Sequence, residues 1–321
     1  MSITVSHKEI DVAAGSCVDF LEGVYNFMVS SADFTIIDFD GIGANSGWFV
    51  FKMAGSTWEC WMGANTTATD WHADNFAGLS STDYIWYSLA PGGGWNSASD
   101  SPTISEGMFT NAPVNSGGYS AGVSIKEDGS SWATSSSRYG TLIYDKDDNF
   151  FALLADEYKN NIWNVCLTIC KVSASALTTD LYPYIGLSGA LYGEYSTGLW
   201  GTPIAQSTTY YSSAILNPSG TGPQSSAVFS ESVYAFLFGN TGYGYSPNPV
   251  AGNYDWRQLC IGTATTPNAH MRGGVSTDHI RIIKKTLSHR QRLDSGNWIV
   301  VHIAGTTGVG FMLPWDPAVT P

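Results

Sequence analysis

Asp145, Asp147 and Asn149 stand at the first, third and fifth positions of a calcium-binding loop, and Asp156 stands at the twelfth. Oxygen donors at that spacing suit a hard divalent cation. Position six is nevertheless Phe150, where the sharp turn of such a loop needs glycine, and no helical pattern flanks the segment. The expectation is a polar hairpin turn that holds no calcium. The six histidines (His7, His72, His270, His279, His289, His302) show no metal-ligand spacing, and His270 and His279, nine apart with Asp278 between them, are assigned no metal. Cys166 and Cys170 lie four apart, which on a strand puts them on one face but about 13 Å from each other. They read as buried thiols packing as small hydrophobes.

Other catalytic patterns are missing. Asp156 and Glu157 are adjacent and would project from opposite faces of a strand, which does not suit a cooperating acid and base. Ser188, in Gly186-Leu187-Ser188-Gly189, lacks the spacing of a nucleophile elbow and is expected in a loop after a strand. The sequence has no GxxxxGK[ST], no HExxH and no GxSxG, and no GxGxxG that follows a strand. No residue is therefore assigned as catalytic, cofactor-binding or metal-binding, and the expectation is a protein that is not an enzyme.

The sharpest charge feature is DHIRIIKKTLSHRQRLDSG. Arg281, Lys284, Lys285, Arg290 and Arg292 fall between positions 281 and 292 with no acid among them, so a segment of +5 sits in a chain of net charge −13 whose remainder carries −18. One reading is a solvated basic face. The sharper one is a docking strip for an acidic protein surface, including that of another copy of this chain. Nucleic acid ranks below both, because no aromatic residue interleaves the strip and the surrounding field repels phosphate.

The elements that would carry these residues are mostly strands. Arg138 to Gly189 contains apolar runs at 141–144, 150–155 and 162–172, separated by DKDDN and DEYKNN, which reads as an up-and-down meander. The third run is apolar on both faces and is expected to be a central, doubly covered strand. Upstream, Cys17, Phe20, Leu21, Val24 and Met28 recur at helical spacing behind Ser16 and Asp19, predicting a helix from about Cys17 to Val29. Trp48 to Met53 and Thr57 to Met62 flank Ala54-Gly55-Ser56 and read as a hairpin. Its Trp48, Phe49, Phe51, Trp58 and Trp61 could form a sugar-stacking platform, but core packing is the commoner use of such a cluster. Tyr84 to Leu89 and Tyr234 to Phe238 are further apolar pieces among long Gly/Ser/Thr/Asn-rich loops, which carry Tyr and Trp in a composition suited to contact surfaces.

Composition agrees. Charged residues and aromatics are each 13% of 321 residues, with 35 glycines, which leaves few long charged side chains to solvate helix faces. The fold class expected is mainly β: an antiparallel β-sandwich or meander with one N-terminal α-helix and long Gly/Ser/Asn-rich loops. It either divides into a helix and hairpin region, 1–125, and a meander core with C-terminal strands, 126–321, or forms one domain. The acidic balance argues against nucleic acid and anionic membrane as partners. No leader-like apolar stretch opens the sequence, and 298–313 is broken by His302, Gly305, Gly308 and Gly310, so no membrane span is expected. Five scattered cysteines, an odd set, fit folding in a reducing cytoplasm.

Taken together, YGTLIYDKDDNFFALLAD, NIWNVCLTICKVS and LYPYIGLSG resemble a family of uncharacterised structural proteins of tailed-bacteriophage virions, in which two strands, a long apolar strand ending near a lysine and a Tyr-Pro segment follow in that order. The opening helix followed by a β-hairpin, as in VDFLEGVYNFMVSS then ADFTIID, and the Leu313 to Asp316 phrase resemble that family too. The resemblance covers about a third of the chain. It implies a virion component of the tail, neck or baseplate, folded in the host cytoplasm, whose partners are copies of itself and other virion proteins, with no catalytic residue. An alternative is a receptor-binding or glycan-binding tail protein that contacts a host surface glycan. A carbohydrate-active β-sandwich enzyme is a third reading, and it would need two carboxylates roughly 5 to 10 Å apart in a cleft.

Overall fold

The computed structural model describes residues 6–12, 17–43, 46–65, 84–91, 93, 95–98, 100–102, 123–125, 138–156, 165–171, 184–190, 200–202, 213–214, 256–257, 260–262, 271–284, 288, 290–302 and 309–319. It begins with β1 (Ser6–Val12) and α1 (Cys17–Ser30). The helix forms where expected, to within one residue, because Val18, Leu21, Val24 and Met28 make one apolar stripe with Phe20 beside it, and all five are buried. Asp19 in its first turn complements the helix dipole. Ser16, the expected cap, lies outside the described residues.

The next strands are β2 (Phe34–Asp40), β3 (Ser46–Met53), β4 (Trp58–Asn65), β5 (Tyr84–Pro91), the short pair β6 (Trp95–Asn96) and β7 (Ser101–Pro102), and β8 (Val123–Ile125). β2-β3-β4-β5-β8 form one antiparallel sheet. The hairpin between β3 and β4 closes through Gly55 at φ +81°, with Phe51 opposite Cys60. A bulge between Ile36 and Asp38 shifts the β2 register.

The meander follows: β9 (Arg138–Asp145), β10 (Phe150–Asp156), β11 (Val165–Lys171) and β12 (Tyr184–Ala190), then β13 (Trp200–Thr202) and β14 (Ser213–Ala214). With β1 on its edge, the order is β1-β9-β10-β11-β12-β13-β14. β11 is thus the middle strand of seven, as its two-faced apolar sequence predicts. Ser188 corrects an expectation: it lies inside β12 opposite Leu167, not in a loop. The exposed ladder of β11 recruits a glycine-rich segment whose own composition favours a loop.

The C-terminal strands are β15 (Trp256–Arg257), β16 (Cys260–Gly262), β17 (Met271–Gly274), β18 (Arg281–Lys284), β19 (Arg292–Leu293), β20 (Trp298–His302) and β21 (Val309–Pro314). β15-β18-β21-β20-β19 make a third antiparallel sheet, and β16 pairs with β17. Leu293, Trp298, Val300 and Met312 form its small core. The fold is mainly β with one α-helix among the described residues.

The principal core lies between the first two sheets, with α1 packed along it. Phe34, Phe51 and Trp58 from one sheet meet Tyr144 and Phe151 from the other, with Phe34 and Tyr144 ring centroids 4.8 Å apart and Phe51 and Phe151 5.5 Å apart. This core draws on residues both before and after position 125, from Ile10 to Ile169. Each fully buried Phe or Leu contributes roughly 1.5–3 kcal/mol of transfer free energy. Trp48, Phe49, Phe51, Trp58 and Trp61 are all buried. The hairpin aromatics are therefore packed in the interior, Phe49, Phe51 and Trp58 within this core and Trp48 and Trp61 outside it. No helix among the described residues is long and apolar enough to cross a membrane.

Candidate functional site

The outer face of each large sheet carries a polar cluster. On the sheet of β2 to β5, Glu59 is buried beneath the β6-β7 hairpin. Its Oε1 accepts the Gly93 N–H at 2.6 Å and its Oε2 accepts the Trp95 N–H at 3.1 Å. The Trp95 indole lies 5.3 Å from that of Trp48, and its Nε1 donates to Asp38 Oδ2 at 2.6 Å. The bulge in β2 is what brings Asp38 to this face, opposite Val50. Both carboxylates here hold a loop in place. Their oxygens already serve protein donors, so the cluster is a structural clasp.

The second cluster sits on the meander. Asp145 ends β9, and the turn Lys146 to Asn149 leads into Phe150, which pairs with Asp145 across the hairpin. Asp145 Oδ1 accepts the N–H groups of Asp147 at 3.0 Å and Asp148 at 3.4 Å, which shapes the turn. Asn149 closes it at φ +56°. This is the polar hairpin turn expected from the sequence. The calcium-loop geometry is absent from it, since Asp156 lies at the far end of β10, about 20 Å along the strand from Phe150.

A residue distant in sequence completes the cluster. Val275 to Ile280 folds over this end of the sheet, with Val275 and Ile280 buried and Ser276 N–H donating to Lys171 O at 3.4 Å. His279 and Ile280 both donate backbone N–H to Ser276 O, which makes a tight turn. That turn presses the fully buried His279 imidazole flat against Phe150, with centroids 4.5 Å apart and planes within 1°. His279 Nε2 is 3.6 Å from Asp145 Oδ2, too long for a good hydrogen bond. Neither His279 nitrogen has a hydrogen-bond partner, and neither has the buried Asn149 Oδ1. Burial holds the His279 imidazole below its ordinary range, against the pull of Asp145 and Asp148. One donor atom each from Asp145, Asp148 and His279 lies within 4.8 Å of the others. Two carboxylate oxygens and a neutral imidazole are a ligand set that a divalent ion could use.

Sequence spacing did not point to this constellation. Asp148 falls outside the 1, 3, 5 pattern, and His279 is brought to it by tertiary folding alone. A run of three acids within one hairpin turn was the only available signal. Among the other histidines, His7 lies in β1 and His302 in β20, while His72, His270 and His289 lie outside the described residues.

The basic strip does not form one continuous free face. The Arg281 guanidinium lies 3.8 Å over the Trp298 ring, and its Nε donates to Thr277 O at 2.7 Å. Arg292 donates through one terminal nitrogen to Pro317 O and Val319 O, tying down the last described turn. Arg290 N–H donates to Val300 O at 2.7 Å with φ at +64°, and Lys284 ends β18. Lys285 lies outside the described residues. Arg281 and Arg292 thus have partners within the chain.

Comparison with known proteins gives no match to a family model, to a curated protein or to a solved structure.

Proposed function

We propose that this chain is a structural component of a tailed-bacteriophage virion, in the tail, neck or baseplate, that assembles as a symmetric oligomer through its loops and basic strip. The observation that carries the reading is the arrangement of the meander. The three segments that resemble such proteins form β9, β10, β11 and β12, four consecutive antiparallel strands of one sheet. They are the scaffold of the fold and not an appendage to it.

Two further points support an assembly role. The five hairpin aromatics are buried, Phe49, Phe51 and Trp58 in the principal core, which disfavours their use as a sugar-stacking platform. The Asp38 and Glu59 carboxylates are committed to backbone and indole donors, which does not suit a hydrolytic acid and base. The charge asymmetry of the chain supplies steering between copies, and steering of that kind weakens with salt.

The test is oligomeric state by light scattering and electron microscopy across salt concentration. Wild-type chain is expected to form a closed oligomer at low salt, and Lys284→Ser with Lys285→Ser to weaken it without changing thermal stability. Arg281 and Arg292 are left intact because they have partners in the protomer. A chain that stays monomeric at low salt overturns the assembly reading. An oligomer indifferent to the double substitution removes the strip from the contact.

A further inference from the structure

We propose that Asp145, Asp148 and His279 bind a divalent transition-metal ion of the zinc class, which staples the β9-β10 turn to the segment carrying His279. The inference stands apart from the virion reading and rests on the geometry of the cluster alone.

Three observations carry it. The first is the orphaned imidazole. His279 is buried with both ring nitrogens lacking hydrogen bonds, and its Nε2 points at a carboxylate oxygen 3.6 Å away. Leaving a buried polar atom unpaired costs roughly 1–3 kcal/mol, so native structures rarely do so without a ligand, ion or water in the site. The second is the separation. Metal bonds of about 2.0–2.2 Å at a tetrahedral angle place two ligand atoms about 3.4 Å apart. The distance from His279 to Asp145 is already near that value. All three donors lie within 4.8 Å, so closure asks for on the order of an ångström of movement, available at the exposed Asp148.

The third is the division of roles within Asp145. Its Oδ1 is used by the turn, accepting two backbone N–H groups, while its Oδ2 faces His279. One oxygen fixes the carboxylate and the other is presented, which is how supporting hydrogen bonds orient a ligand. The Phe150 ring stacked on the imidazole holds it from the other side.

The ligand set selects the ion. Calcium takes six to eight oxygens, and magnesium retains several waters on one or two carboxylates, so neither suits a buried nitrogen donor. An imidazole with two carboxylates is a borderline set that suits zinc, manganese or cobalt, with open positions for water. The ion would also offset the charge of two carboxylates placed beside each other.

The experiment uses the full chain, stripped with a chelator and dialysed. Zinc is titrated by calorimetry and by thermal unfolding, and cobalt is added as a spectroscopic probe. One equivalent of zinc is expected to bind and raise Tm, and calcium to leave it unchanged. Cobalt is expected to give the visible absorption of a low-symmetry site with nitrogen and oxygen ligands. Asp148→Asn, at an exposed turn position, is expected to lower zinc affinity at least about tenfold, since even loss of a supporting group costs 10- to 100-fold. His279→Gln is expected to remove the cobalt spectrum. Zinc binding with equal affinity and an equal Tm shift in Asp148→Asn overturns the proposal, as does absence of binding to the wild-type chain. A larger stabilisation by calcium than by zinc overturns the assignment of the ion.

Discussion

Gly140 lies directly beneath the ring of Phe20: a β-carbon at Gly140 would meet Phe20 Cζ at 2.6 Å and Cε2 at 2.7 Å. The absent side chain leaves room for the Phe20 ring of α1 against β9. Gly140→Ala is expected to destabilise by about 1–3 kcal/mol through overpacking, read from the urea midpoint. Phe20→Leu in the same chain should recover part of that loss, and a double-mutant cycle with no coupling would contradict the contact.

Leu167 is fully buried at the centre of the middle strand, opposite Leu153 on one side and Ser188 on the other. Leu167→Ala is expected to cost about 2–5 kcal/mol, depending on how far the site collapses. Leu167→Asp should abolish soluble folding, because a buried unpaired charge takes several kcal/mol from a total of roughly 5–15. Solubility and circular dichroism decide it, and a well-folded Asp variant would show that the strand is not central.

The Glu59 clasp predicts an asymmetry between two substitutions. Glu59→Leu removes the carboxylate that accepts the Gly93 and Trp95 N–H groups, at about 1–3 kcal/mol for each lost bond, whereas Glu59→Gln keeps one oxygen. The Leu variant should therefore be clearly less stable than the Gln variant in denaturant melts. Its indole fluorescence should also shift to the red as Trp95 gains access to water. Equal stability of the two would mean that the carboxylate does not hold the hairpin.

Cys60 and Cys170 are buried, and burial pushes the Cys170 thiol up to about 12, opposed in part by Thr168. Cys170 should resist alkylation in the native protein at pH 8 and react only on unfolding, as resolved by mass spectrometry of its peptide. The sign of the linkage follows. An unfolded thiol ionises near 9 and the folded one only near 12, so this group's contribution is fully present below pH 9 and is lost as pH rises toward 12. A Cys170→Ala chain should show a flatter decline over that window, and rapid native labelling of Cys170 would contradict its burial.

The helix, the first hairpin and the meander were legible because each announces itself within a short window. Val18 to Met28 keep a helical period, Ala54-Gly55-Ser56 separates two aromatic runs, and DKDDN separates two apolar ones. β1 was not legible: SHKEIDV is mostly polar, Ile10 becomes buried, and the strand form comes from pairing with β9. The β6-β7 pair was hidden in a glycine-rich loop because Glu59, distant in sequence, supplies the acceptors that fold it. The Asp145, Asp148 and His279 cluster was out of reach for the same reason, since spacing rules detect ligands that share an element. Arg281 and Arg292 looked like surface cations, and only Trp298 and the carbonyls of Pro317 and Val319 reveal their partners.

The pairing of β1 with β9 also sets a timetable. Ser6 to Val12 can form no ladder until Arg138 to Tyr144 has left the ribosome, which at 5–20 residues per second is a wait on the order of ten seconds. During that interval α1 and the β2 to β4 hairpins, whose contacts are local, can form, but Phe34, Phe51 and Trp58 still lack Tyr144 and Phe151. A nascent chain stalled before the meander therefore carries an uncovered aromatic face, and holdase chaperones have their natural point of engagement there.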